Sequence, residues 1–195
     1  YVFVRNEKGW FQQAYIKASN AEQGDSFGSS VAISSDGNTL AVGASLEDGP
    51  DQGVNGDQGN GVLSSGSVYV FVRNGSTWSQ QAYVKARNAG GGDQLGIAVA
   101  LSGDGNTLAV GAPGEASAST TVDGDEDDNS EIRSGAVYVF SRSGVDWSQQ
   151  AYIKGSHSNS DDYLGAALAL SVDGNTLAVG AWRERAVDRA DGRRH

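Results

Sequence analysis

With 195 residues the chain is long enough for one domain with a sizeable core, and it carries no Cys and no Met, 28 Gly, 2 Pro and a net charge of −10. Those figures exclude a disulfide framework and speak against nucleic acid, whose phosphates need a basic stripe. No run of about 18 apolar residues is present to span a membrane as a helix.

In chain order, Tyr1–Arg5 reads as a strand. It lacks the basic leader, long apolar stretch and cleavage site of a signal peptide, as expected of a chain that begins inside a larger protein or after processing. Trp10–Lys17 reads as a second strand. Ser30–Ser34 is predicted as a third, followed by the turn Asp36-Gly37-Asn38, whose residues tolerate positive φ. Thr39–Ala44 is the next strand, and a long polar loop over about residues 45–65 follows. Ser67–Val72 and Trp78–Lys85 are strands around Asn74-Gly75, a second hairpin turn. Asn74-Gly75-Ser76 is also a glycosylation sequon.

These phrases then return. Trp10-Phe11-Gln12-Gln13-Ala14-Tyr15-Ile16-Lys17 recurs from Trp78 to Lys85 and from Trp147 to Lys154, at spacings of 68 and 69 residues. Asp36–Ala44 recurs at Asp104–Ala112 and Asp173–Ala181, and Tyr1–Val4 recurs at Tyr69–Val72 and Tyr138–Ser141. One supersecondary unit is therefore repeated. In the third strand of the unit Val68, Val70 and Val72 face one way and Tyr69 and Phe71 the other. Both faces are apolar, so both are buried. No helical crossover is available, so the strands pair antiparallel. A four-stranded antiparallel sheet buried on both faces and repeated radially is a blade of a β-propeller, with a solenoid or sandwich as the competing architecture. The Ala- and Gly-rich strands suit the crowded axis. The last strand, with Gln80, Gln81 and Lys85, reads as a polar outer edge.

The expected division is a half-blade over 1–17, blades over 25–85 and 93–154, and a complementary half-blade over 162–182. Three blades' worth of strands is too few to close a ring. Two chains completing each other's half-blades as a homodimer would close one of six blades; a cut from a larger propeller is the alternative. Residues 183–195 hold five Arg against three acids, a net of +2, leaving −12 on the rest. They read as a disordered or foreign extension.

The units resemble FG-GAP repeats, the integrin-α-type β-propeller repeats also found in bacterial surface and secreted proteins. Phe27-Gly28 matches the first half of that motif, with Leu95-Gly96 and Leu164-Gly165 in the same places. Gly43-Ala44-Ser45, Gly111-Ala112-Pro113 and Gly180-Ala181-Trp182 match the second. The resemblance covers roughly residues 1–182. It implies an extracellular or cell-surface module for adhesion, ligand binding or scaffolding, facing a protein or glycan partner and often using Ca²⁺.

The metal candidate is the acidic loop Asp123–Glu131. Ca²⁺ takes six to eight oxygens, and carboxylates at alternate loop positions are the way a loop supplies them. Asp123, Asp125, Asp127 and Glu131 match the ligand positions of the integrin-type loop, with Asp128 where the family has Gly. Asn55, Asp57 and Gly59 stand in the equivalent loop of the preceding unit. The plainer reading is a solvated acidic loop. Asp25, Asp93 and Asp162 recur before each Phe-Gly or Leu-Gly and are expected to cap a turn. Asp36, Asp104 and Asp173 are expected in the hairpin turns, in a context that faintly resembles the Asp-box of sialidases.

Catalysis finds little support. His157, the only His inside the repeats, lies in a polar loop, and there is no Gly-x-Ser-x-Gly elbow and no paired-His zinc motif. A glycoside hydrolase needs two carboxylates at a defined separation, and none is singled out by breaking the repeat. The Trp and Tyr of the fourth strand read as blade core or edge, with sugar stacking as the sharper alternative. A non-catalytic binding or scaffolding module is the expectation, with a glycan-acting hydrolase or a purely structural assembly repeat as alternatives.

Overall fold

A computed structural model describes residues 1–184. Most of the Arg-rich extension, from residue 185, lies outside the described residues.

Among the described residues twelve strands form: β1 Val2–Asn6, β2 Gly9–Ala14, β3 Phe27–Ile33, β4 Thr39–Ala44, β5 Ser67–Asn74, β6 Thr77–Val84, β7 Ala98–Leu101, β8 Thr107–Ala112, β9 Ala136–Ser143, β10 Asp146–Ile153, β11 Leu164–Leu170 and β12 Leu177–Ala181. They make two four-stranded sheets, β3-β4-β5-β6 and β7-β8-β9-β10, and two two-stranded sheets, β1-β2 and β11-β12. Every strand pair is antiparallel. The fold is all-β and blade-like, as the repeat predicts, and one chain does not close a ring.

The three Asp-Gly-Asn hairpin turns are closed by the same bonds. Ser34 Oγ donates to Asp36 Oδ1, the Asn38 amide donates to that oxygen at 2.9 Å, and the Thr39 amide donates to Ser34 Oγ at 2.9 Å. The set repeats at Ser102, Asp104, Asn106 and Thr107, and at Ser171, Asp173, Asn175 and Thr176. A short side chain thus satisfies the backbone where the chain reverses.

Both faces of β5 are covered, as its alternation requires. Val68 and Val70 join a core with Leu108, Val110, Tyr138 and Phe140 of the next sheet. Tyr69 and Phe71 join a second core with Val2, Leu40, Val42 and Tyr83, against which Ala14 and Ile16 also pack.

The two glycine motifs meet between sheets. Gly28 and Gly165 lie in β3 and β11 and Gly96 just before β7, at φ +95°, +90° and +91°, a region closed to most side chains; the pairing shifts register at Gly28 and at Gly165. The Gly96 carbonyl faces the preceding sheet, where Ser30 Oγ donates to it at 2.7 Å. A side-chain carbon on Gly43 would collide with that same Gly96 carbonyl, and one on Gly111 with the Gly165 carbonyl. The glycine of one motif is the space into which the glycine of the other bulges.

A second bulge recurs in the outer strands. Gln81 and Gln150 are skipped in the pairing of β6 and β10, and Gln13 in that of β2. The extra residue is re-aimed, as bulges do. Trp147 Nε1 and Arg142 donate to Gln81 Oε1 of the neighbouring sheet at 3.0 and 3.1 Å, while the guanidinium lies 5.3 Å from the Trp147 ring centre. Trp78 Nε1 and Arg73 make the same bonds to Gln13 Oε1. The polar outer-edge reading therefore needs correcting. Gln81 bridges two sheets, and Lys85 is wholly buried.

Candidate functional site

The long loops 45–66 and 113–135 join the second and third strands of successive sheets. The linkers before β3 and β7 come to the same end, because in an antiparallel four-strand sheet the first strand begins where the second ends. Hairpin turns occupy the other end.

The loop stems are clamped by charged side chains hidden from water. In the first unit Glu47 accepts hydrogen bonds from Asn20 Nδ2 at 2.9 Å and from the Tyr69 hydroxyl at 3.1 Å. Lys85 Nζ donates to Ser65 Oγ and to the Gly66 carbonyl at 2.6 and 2.9 Å. In the second unit Lys154 Nζ donates to Glu115 at 3.0 Å and to Ser134 Oγ at 2.7 Å, with both charged side chains almost fully buried. Burial offsets much of what a buried ion pair gains, so such groups persist where their remaining bonds are satisfied. Here they hold both ends of a loop: the Gly66 and Gly135 amides donate to the Glu47 and Glu115 carbonyls at 2.9 Å.

Burial sets the protonation of this cluster. It pushes the Glu47 carboxyl upward, helped by Asp25, and lowers Lys85 to about 8 against the pull of Glu47. It also raises Asp93 to about 6, opposed by the bond from the Gly90 amide. Desolvation disfavours the charged form of either sign, which accounts for the opposite directions.

Sequence reasoning missed Glu47 and Glu115. A signal was present: each stands 11 residues after its turn aspartate, Asp36 or Asp104, and Glu184 stands 11 after Asp173.

The expected turn caps form. Asp25, Asp93 and Asp162 accept the amides of Glu22, Gly90 and Asn159 at 2.8, 2.7 and 2.8 Å. His157 is exposed in its loop, its Nδ1 3.2 Å from Ser156 Oγ.

Three of the four metal candidates are engaged separately, and the fourth, Asp127, is exposed. Asp123 Oδ1 accepts the Tyr152 amide at 2.9 Å, and the Asp123 amide donates to the Tyr152 carbonyl at 2.7 Å. Asn55 makes the same pair of bonds to Tyr83, and both residues hold positive φ, 53° and 58°, which Asn and Asp tolerate best. Asp125 accepts the Asp127 amide at 3.1 Å, as Asp57 accepts that of Gly59 at 2.9 Å. Glu131 accepts from Ser160 Oγ at 2.7 Å. Among the described residues no group of three or more His, Cys, Asp or Glu gathers as a cation site. As folded, this donor set does not fit a Ca²⁺ ion. Asp123 ties the loop to β10, and Asp125 closes a turn.

What the loops present is mixed. Leu63, Val122 and Ile132 are exposed on them, beside the exposed Asp127 and Asn129.

Stacked antiparallel blades with clamped loops at one end define a repeat protein of the propeller type. The FG-GAP repeat model matches residues 10–71 and 78–140, and the chain belongs to that family. Each match runs from the outer strand of one sheet into the third strand of the next, so the family's unit straddles two blades. Modules of this kind are typically used for binding and adhesion. None of the curated proteins matches the chain.

Proposed function

We propose that this chain is a non-catalytic extracellular binding module whose long loops dock a protein partner. The observation that carries this reading is the exposure of Leu63, Val122 and Ile132 on loops whose stems are clamped by buried charges. Apolar side chains held on a rigid frame within an acidic rim suit a protein surface better than a sugar. Rigid stems also reduce the ordering cost of binding. The non-catalytic part is supported by the turn aspartates and loop aspartates, which are occupied by backbone amides rather than poised at an open site. Ca²⁺ is not needed for this reading.

The test is a binding screen of the immobilised chain against extracellular proteins and a glycan array, each with Ca²⁺ and with chelator. A protein ligand whose binding drops about tenfold or more in Val122→Asp/Ile132→Asp, with or without Ca²⁺, is the expected result. Glycan binding alone, or turnover of a glycoside, overturns it.

A further inference from the structure

The chain's charge is not spread evenly. Residues 45–66 hold four acids and no Lys or Arg, and residues 113–135 hold seven acids and Arg133. The two loops thus carry −4 and −6, the whole of the chain's net −10, and the charges of all other residues cancel. Glu47 and Glu115 are buried near Lys85 and Lys154, but Asp51, Asp57, Asp125 and Asp127 are exposed. Arg133, the one base on the loops, is already bonded to Asp161 at 2.7 Å. A field of one sign at one end of a molecule draws partners of the opposite sign and repels anionic polymers.

Within that field stand two apolar side chains. Leu63 and Ile132 are 69 residues apart, each three before the glycine that closes its loop, Gly66 or Gly135. Leu63 is 75% exposed and Ile132 61%. Their backbones are fixed in the same way. The Gly92 amide donates to the Leu63 carbonyl and the Asp161 amide to the Ile132 carbonyl, both at 2.9 Å. The residue after each, Ser64 or Arg133, has a positive φ of 52° or 57°. Its carbonyl accepts the Gln94 or Tyr163 amide at 3.1 or 3.0 Å. These four donors belong to the linkers that enter the next sheet, so each aliphatic side chain stands at a seam between blades. Neither joins a buried core. The exposure belongs to the position itself: a complete four-stranded sheet follows Leu63, and a complete one precedes Ile132. A lone exposed aliphatic residue is ordinary on a protein surface. The same placement in both units, on backbone held by the neighbouring blade, makes a repeated contact point.

We propose that the loop face takes a Lys- and Arg-rich protein segment whose apolar side chains rest on Leu63 and Ile132 together, across two adjacent blades. This rests on the reading that the loops dock a protein, and it states what that protein brings. Charge and apolar contact act at different stages. The acidic loops speed the encounter, an effect that salt screens. Leu63 and Ile132, held in place before the segment arrives, set how slowly it leaves.

Selection from a displayed library of random peptides on the immobilised chain, followed by association and dissociation rates, tests this. The selected peptides should be basic and carry aliphatic residues. Asp51→Asn/Asp57→Asn/Asp125→Asn/Asp127→Asn keeps an acceptor oxygen at each position and removes four charges. Association should slow about tenfold in that variant, and its salt dependence should flatten. Leu63→Ser/Ile132→Ser should speed dissociation about tenfold or more, and either single change distinctly less. Both variants should keep the circular dichroism of the parent chain, since all six side chains are exposed. Basic peptides that leave Leu63→Ser/Ile132→Ser as slowly as the parent chain are held by charge alone and overturn the proposal. Neutral or acidic peptides whose binding drops in Leu63→Ser/Ile132→Ser also overturn it, while loop docking stands. No binder, or binders indifferent to both variants, overturn loop docking and this proposal with it.

Discussion

Asp93 shows how one position serves packing and titration together. Its carboxylate caps the turn at Gly90 and lies buried near Lys85 and Glu115. Burial raises it to about 6 from 3.8, so between those pH values the folded chain holds a proton that the unfolded chain releases. Its contribution to stability is therefore full below about pH 4 and lost as pH rises through 6. Glu47, also raised, acts in the same direction. Lys85, lowered to about 8 from 10.5, reverses the trend: stability returns as pH rises between those two values, because there the unfolded chain holds the proton that the folded chain has lost. Urea midpoints should fall from pH 4.5 to pH 7. Asp93→Asn should shrink that fall, and an unchanged difference refutes the assignment.

At the scale of elements, each long loop is joined to the strand that ends nearest it. Lys154, just past β10, reaches Glu115 and Ser134 at opposite stems of loop 113–135. Removing one partner leaves the other charge buried and unpaired. Lys154→Met is expected to cost about 3–5 kcal/mol in chemical unfolding, and Lys154→Met/Glu115→Gln distinctly less than the two single changes added. Strict additivity would show that the pair is not coupled. The strands themselves were legible in the sequence, as period-two alternation bounded by Asp-Gly-Asn turns. The clamps were not, because Lys85 and Lys154 look like ordinary polar ends of an outer strand. Only the fold of the loop over them shows their burial.

For the molecule as a whole, order is not uniform. Strands β4, β5, β8 and β9 lie between two covered faces, while β1-β2 and β11-β12 each lack neighbours on one edge. Opening free energies follow such differences in cover. Amide exchange should be slowest in β5 and β9 and fastest in β1 and β12. Uniform protection across the twelve strands would contradict this account of the core.

Taken alone, the chain's sequence determined the repeat, the strand order and the turn aspartates, because these depend on local alternation and on side chains bonding their own backbone. It also placed Phe27-Gly28 and Gly43-Ala44 without explaining them. Tertiary structure decided what these motifs do, since Gly43 lies against Gly96, 53 positions away on the next sheet. It decided that Gln13 and Gln81 bridge blades through bulges, and that Asp123 and Asp125 serve backbone amides instead of gathering on one ion. Spacing along a loop lists carboxylates; where they point is set by the strand against which the loop is folded.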